Sequence, residues 1–201
     1  MLVSPFKNIT QHTKIQIKPH QMNSDIQNIM KLVLRKKVEK RCNKYGFIDE
    51  VYRIEEYNES DLNPENLSGC ANYDIKYHCR ICLPIENTII VTQVKAINQE
   101  LVVGVNGPIL IFIPKDNIDN SKWDITDKFL HVDSKSNLKI NNYIKVEVIS
   151  KRINQSDHQI KAIGKLLDFA NEKEVEDYYG SIILDDDEIN EENNEENNFI
   201  I

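Results

Sequence analysis

Residues 88–114, TIIVTQVKAINQELVVGVNGPILIFIP, constrain the fold more than any other stretch of the chain. Three runs rich in β-branched and aliphatic residues, 88–97, 100–105 and 108–113, are each separated by only two residues. Links that short join antiparallel neighbours. The second link, Asn106-Gly107, is a strong hairpin signal because both residues tolerate positive φ. Three consecutive strands are therefore expected. PKDNI, residues 114–118, reads as a short helix, and residues 119–142 form a polar excursion holding the only tryptophan, Trp123. Two further strand-like runs follow, YIKVEVISKRI (143–153) and HQIKAIGKL (158–166). Five strands with a short helix between the third and fourth is the order of an OB-fold barrel.

The first part of the chain reads differently. TKIQIK, residues 13–18, alternates as a half-buried strand does, and Pro19 limits it. Ser24 with Gln27 three residues on makes a capping box, and Asp25 favours the positive end of the helix dipole. The helix that follows should bury Ile26, Ile29, Met30, Val33, Leu34, Val38 and Cys42 at helical spacing. Lys31, Arg35, Lys36, Lys37, Lys40, Arg41 and Lys44 crowd its remaining faces. Two readings of that charge stay open: a solvated helix face, or a surface for phosphates or an acidic partner. Residues 45–57 form a strand entered through Gly46, and 58–69 form a polar loop. A β-like run from Tyr73 to Ile97 is interrupted by Pro84, which cannot donate in a ladder. A domain boundary is expected there.

Charge isolates a third region. The net charge is -7, but eight of the 32 acidic residues lie between Asp185 and Glu196 with no base among them. The remainder, with all 25 basic residues, is close to neutral. Such an acidic tail cannot bury apolar surface and is expected to be disordered, either solubilising the chain or engaging a basic partner. No apolar run approaches the roughly 20 residues needed to cross a bilayer. The N-terminal residues lack the order of a secretory signal. An intracellular protein with no membrane partner is expected.

Four cysteines raise the question of chemistry. Cys79 and Cys82 have CxxC spacing. On a strand, however, residues three apart face opposite ways, whereas two zinc ligands sit on a tight turn with their sulfurs converging. Cys42 and Cys70 are isolated, and no helix N-terminus stands by to lower a thiol pKa. The cysteines read as strand and core residues. No phosphate loop or nucleophile elbow occurs. The expectation is a non-enzyme without metal or cofactor.

Four stretches in order resemble a known family: LRKKVEKRCNKYGFIDEV (34–51), YDIKYHCRICLPIENTIIVTQV (73–94), GVNGPILIFIPKDNI (104–118) and IKAIGKLLDF (160–169). Over roughly residues 10–180 the chain resembles the stalk subunit of multisubunit DNA-directed RNA polymerases, namely the seventh subunit of eukaryotic polymerase II and the archaeal E subunit. The resemblance implies an α+β, RNP-like tip domain over 1–85, an OB-fold over 86–180 and an acidic tail over 181–201. It implies that Lys44, Tyr45, Gly46 and Phe47 form a turn docking on the large polymerase core subunits, and that a helical stalk partner binds. The cysteines fall where the family places plain apolar residues.

The barrel of such proteins contacts nascent RNA. A Gly-aromatic pair often starts its second strand, where this chain has Glu100 and Leu101. Contact would then rest on Lys95, Lys115, Lys151 and Arg152, mainly through phosphates, and would be weak, salt-sensitive and sequence-indifferent. These cations also read as ordinary surface residues. Phe112, in an apolar strand, reads as core. A free-standing OB-fold RNA-binding protein of translation or RNA decay is the alternative. The Asn-, Ile- and Lys-rich composition suits an AT-rich genome and a large-DNA-virus version of the family. A viral subunit would be cytoplasmic and packaged in the virion, a cellular one nuclear.

Overall fold

The computed structural model describes residues 2–22, 25–58, 61–62, 68–119, 121–124, 129–132 and 137–180. They are mostly β and fall into two units. One comprises Phe6–Leu83 with Ile153–Ile160; the other comprises Pro84–Arg152 with the described residues up to Pro5 and from Lys161 onward. The acidic tail, Asp185 to Glu196, lies outside the described residues.

The first unit contains β1 (Phe6–Ile17), α1 (Ile26–Val38), β2 (Arg41–Asn43), β3 (Gly46–Tyr57), β4 (Asp61–Leu62) and β5 (Ala71–Cys82). Its sheet runs β1-β5-β3-β2, with β4 also paired to β5. β1 is longer than the alternating run TKIQIK, because it pairs with β5 without interruption from Phe6↔Cys82 to Ile17↔Ala71. The polar residues Lys7 to His12 have no strong strand signal of their own; the β5 ladder holds them extended. β4 falls inside the stretch expected to be loop.

α1 lays Met30 and Leu34 on this sheet, with Ile26, Val33 and Val38 partly buried around them. They meet Ile15, Ile17, Ile48, Val51, Ile75 and Tyr77. The N-cap is Asp25, without a side-chain cap bond; Ser24, the expected cap, lies outside the described residues. Asn28 Nδ2 donates to Asp25 Oδ1 at 2.7 Å instead. Cys42 does not continue the helical stripe. Lys40 takes a φ of 57°, the helix ends at Val38, and Cys42 is buried in β2.

The basic helix face partly serves the fold. β2 reaches β3 only as far as Arg41↔Ile48, so Val51 has no strand neighbour on that side. Arg35 Nη2 donates to the Val51 carbonyl at 2.8 Å, and the Val51 N–H donates to Glu39 Oε1 at 2.8 Å. Lys37 donates to the Lys14 carbonyl. A backbone pair that would be costly to bury unpaired is thus satisfied by one helix side chain, Arg35, and by Glu39 at the helix C-cap.

The second unit contains β6 (Ile89–Ile97), β7 (Leu101–Asn106), β8 (Ile109–Pro114), β9 (Trp123–Asp124), β10 (Leu130–His131), β11 (Tyr143–Arg152) and β12 (Ile160–Phe169). β6, β7, β8, β11 and β12 close into a barrel in the order β11-β12-β8-β7-β6. The expected short helix at PKDNI is a 3-10 turn, Lys115–Asn117. Ile90, Val94, Val102, Ile109, Ile111, Ile113, Val146 and Leu166 are each fully or almost fully buried. Trp123 is buried and lies 5.1 Å from the Phe169 ring.

A helix over residues 172–180, α2, follows β12 and was not expected from the strand pattern. A capping signal was present: the Asn171 N–H donates to Glu174 Oε2 at 2.9 Å, three residues on. Lys145 on β11 pairs with Glu174 at 3.1 Å. Asn106 Nδ2, at the end of β7, donates to Tyr178 Oη at 2.9 Å and to the Val91 carbonyl at 2.6 Å. Among the described residues no helix is long and apolar enough to cross a membrane.

Candidate docking and nucleic-acid interfaces

The tight turn between β2 and β3 is built by Asn43. Its Oδ1 accepts from the N–H of Tyr45 at 2.8 Å and of Gly46 at 3.1 Å, a side chain closing a turn on its own backbone. The turn presents Lys44 and Tyr45 outward. Tyr45 is 50% exposed, and the Lys44 ammonium stands 4.7 Å from its ring centroid. The two residues that follow face the other way. Gly46 is buried at a φ of 143°, and Phe47 is only 4% exposed. Of the four residues expected at a docking turn, two are free to meet a partner and two hold the turn in place.

Beneath the turn lies an ion cluster. Lys40 Nζ donates to Asp49 Oδ1 at 2.6 Å, and Arg80 Nε donates to Asp49 Oδ2 at 2.9 Å. The Arg80 guanidinium also stacks over Phe6, 5.2 Å from the ring centroid. Burial pushes the Asp49 carboxyl up, but the hydrogen bonds and charges of Lys40 and Arg80 outweigh it and hold the group below the usual carboxylate range. This pair fixes β3 against β5 where the turn begins.

The CxxC cysteines pack as apolar residues. Cys79 and Cys82 are fully buried and free of disulfides. Burial pushes the Cys79 thiol up to about 12 and raises Cys82 as well. Thiols raised in this way stay protonated near neutral pH, and a protonated thiol is a weak nucleophile. Among the described residues no group of three or more His, Cys, Asp or Glu side chains could hold a metal ion.

The barrel separates the cations expected to meet RNA. Gln93 pairs with Tyr143 and Leu101 with Pro114, so Lys95 and Lys115 sit at one end, beside the turn carrying Glu100. Lys151 and Arg152 lie at the other end of β11, eight and nine residues from Tyr143, at most about 26–30 Å along the strand. Lys151 Nζ donates to the Pro84 carbonyl at 2.7 Å. The four do not form one patch.

Phe112 is not core. On β8 the buried positions are Ile109, Ile111 and Ile113, so Phe112 points outward and is partly exposed. It lies across from Val103, with Leu101↔Pro114 and Val105↔Leu110 on either side, all partly exposed. The outer face of β7 and β8 is therefore apolar with one ring at its middle. An apolar run without alternation hid this side chain, because every position in PILIFI looks equally buried.

No family model matches the chain. It is similar to a protein of Acanthamoeba polyphaga mimivirus that carries the provisional name of a DNA-directed RNA polymerase subunit. The two are 32% identical over 166 residues, which cover 82% of this chain and 83% of the mimivirus protein.

Proposed function

This chain belongs to the family of DNA-directed RNA polymerase subunits, and we propose that it is the non-catalytic stalk subunit. In this reading the turn at Lys44 and Tyr45 docks on the large core subunits, and the barrel guides nascent RNA. The observation that carries it is the strand order of the barrel. In chain order its strands neighbour one another as first, second, third, fifth, fourth and back to first. That order matches the closure expected of an OB-fold and so supports the reading, and the barrel adjoins in sequence a sheet unit with an exposed basic-aromatic turn. The four motif stretches of the stalk family fall on α1 to β3, β5 to β6, β7 to β8 and β12.

RNA contact in this reading combines phosphates with one stacking ring. Lys95 and Lys115 supply charge at one end of the barrel, and Phe112 supplies the ring that Glu100-Leu101 lacks. A viral relative supports a viral subunit, working in the cytoplasm and packaged with its polymerase. A helical stalk partner completes the proposal.

Co-purification of the tagged protein from its native source tests it. Near-equal recovery of the large polymerase subunits is expected, and it should be lost on Tyr45→Ala in a folded protein. Recovery of RNA or ribosomal proteins without polymerase would instead establish the free-standing RNA binder, which the outward Phe112 also suits.

A further inference from the structure

We propose that a cavity beside the β2–β3 turn receives a carboxylate side chain from an acidic segment of a partner protein. The cavity, of about 440 Å³, is lined from β1, the end of α1, β2, the turn itself and residues 155–156. Gln11 lines it and is only 6% exposed. Its Oε1 accepts from Asn43 Nδ2 at 2.7 Å and from Tyr77 Oη at 3.2 Å. Those two donors set the orientation of the amide. They leave Nε2 as a buried donor with no partner among the described residues. Such groups are rare in folded proteins and call for a reason.

The rest of the lining says what Nε2 would meet. Lys37, Arg41 and Lys44 line the same cavity with His12, and no Asp or Glu does. Lys37 is anchored by the Lys14 carbonyl, so one positive charge is held in place. A fixed amide donor among lining cations, with the Asp157 carboxylate near Cys42 but outside the lining, selects an anionic acceptor. The buried position of Nε2 favours a carboxylate at the tip of a slender side chain. A phosphodiester flanked by two sugars is too broad to bring its oxygen to a donor so little exposed. The inference rests on the docking reading for the identity of the partner, because Lys44 and Tyr45 border the cavity. The class of ligand rests on the cavity alone.

The test titrates the full chain with a short fluorescein-labelled oligoglutamate peptide and, in parallel, with labelled single-stranded RNA of similar charge. Gln11→Glu keeps the acceptor for Asn43 and Tyr77 but replaces the donor with a second carboxylate oxygen. Arg41→Gln removes one exposed cation. The wild-type chain should bind the peptide in a salt-sensitive manner. Gln11→Glu should weaken it at least about tenfold and Arg41→Gln several-fold. If Gln11→Glu does not fold, the pair Arg41→Gln and Lys44→Gln carries the test, with loss of peptide binding expected. Wild-type affinity in these folded variants would overturn the proposal. So would preferential binding of the RNA with the same sensitivity to Gln11→Glu, which would make this a nucleic-acid site. Polymerase recovery separates the two ideas. A wild-type chain that recovers no polymerase subunits overturns the docking reading, whatever the cavity binds. One that recovers them, while Gln11→Glu binds the peptide unchanged, overturns the cavity alone.

Discussion

Gly46 lies against the backbone carbonyl of Cys82: a Cβ built on residue 46 would stand 2.7 Å from that oxygen. The φ of 143° at Gly46 is also one that side-chain-bearing residues rarely adopt. The start of β3 is thereby pressed onto the end of β5, and the turn carrying Tyr45 is held at a defined place on the sheet.

Gly46→Ala should therefore destabilise the protein by about 1–3 kcal/mol, through backbone strain and the close approach to Cys82. A lower urea midpoint with an unchanged slope is the expected readout. An unshifted midpoint would show that β3 can draw away from β5 without cost.

Tyr45→Ala should leave stability almost unchanged and act on docking instead. The ring is half exposed and its visible contact is with Lys44, so stability should change by less than about 0.5 kcal/mol. Recovery of the polymerase core should fall sharply. Equal recovery by the variant would move the docking surface elsewhere on the chain.

The Asp49 cluster predicts a pH dependence with a definite sign. Its folded carboxyl is held below the unfolded value, so its stabilisation is fully present above the unfolded pKa of about 3.9. It is lost as pH falls through the lower folded value. Asp49→Asn should cost about 1–3 kcal/mol near neutral pH, because Arg80 loses its charged partner. The gap between variant and wild type should narrow in acid. A gap independent of pH would mean the loss is one of packing.

Thiol labelling should distinguish the cysteines. Cys42, Cys79 and Cys82 are buried, and burial raises all three thiols, whereas Cys70 is partly exposed. Native protein should react rapidly with a disulfide reagent at Cys70 and slowly at the other three, and denatured protein at all four. Rapid native reaction of Cys79 or Cys82 would revive a redox or metal role for the CxxC pair.

RNA binding should depend on Phe112 and on one end of the barrel. Phe112→Ala should weaken single-stranded RNA by about 1–3 kcal/mol, the value of one stacked base. Neutralising Lys95 and Lys115 should reduce the salt slope by roughly 0.7 for each contact. Lys151→Gln should change it less, since Lys151 is engaged with the Pro84 carbonyl. Equal effects from all four cations would indicate a path along the whole of β11.

The residues alone determined the features that depend on neighbours in the chain. Short links made β6, β7 and β8 sequential antiparallel strands, because a short loop leaves no other pairing; the second turn falls one residue later than Asn106-Gly107, at Gly107-Pro108, with Asn106 ending β7. Helical spacing from Ile26 to Val38 placed Met30 and Leu34 in a core. The CxxC spacing on a strand argued for packing, since successive side chains alternate. What involved distant partners was decided only by the tertiary structure. β5 extended β1 back to Phe6 by supplying a ladder that residues 6–12 do not ask for. The positive φ at Lys40 turned Cys42 from a helix stripe into β2. Closure of the barrel set which side of an unbroken apolar run is interior, and so put Phe112 outside. It also placed Lys95 and Lys151 at opposite ends. The same long-range pairing gathered Gln11, Lys37, Arg41 and Lys44 around one cavity. Local chain geometry is written in local sequence, whereas the choice of face and the meeting of side chains depend on strands far apart in the chain.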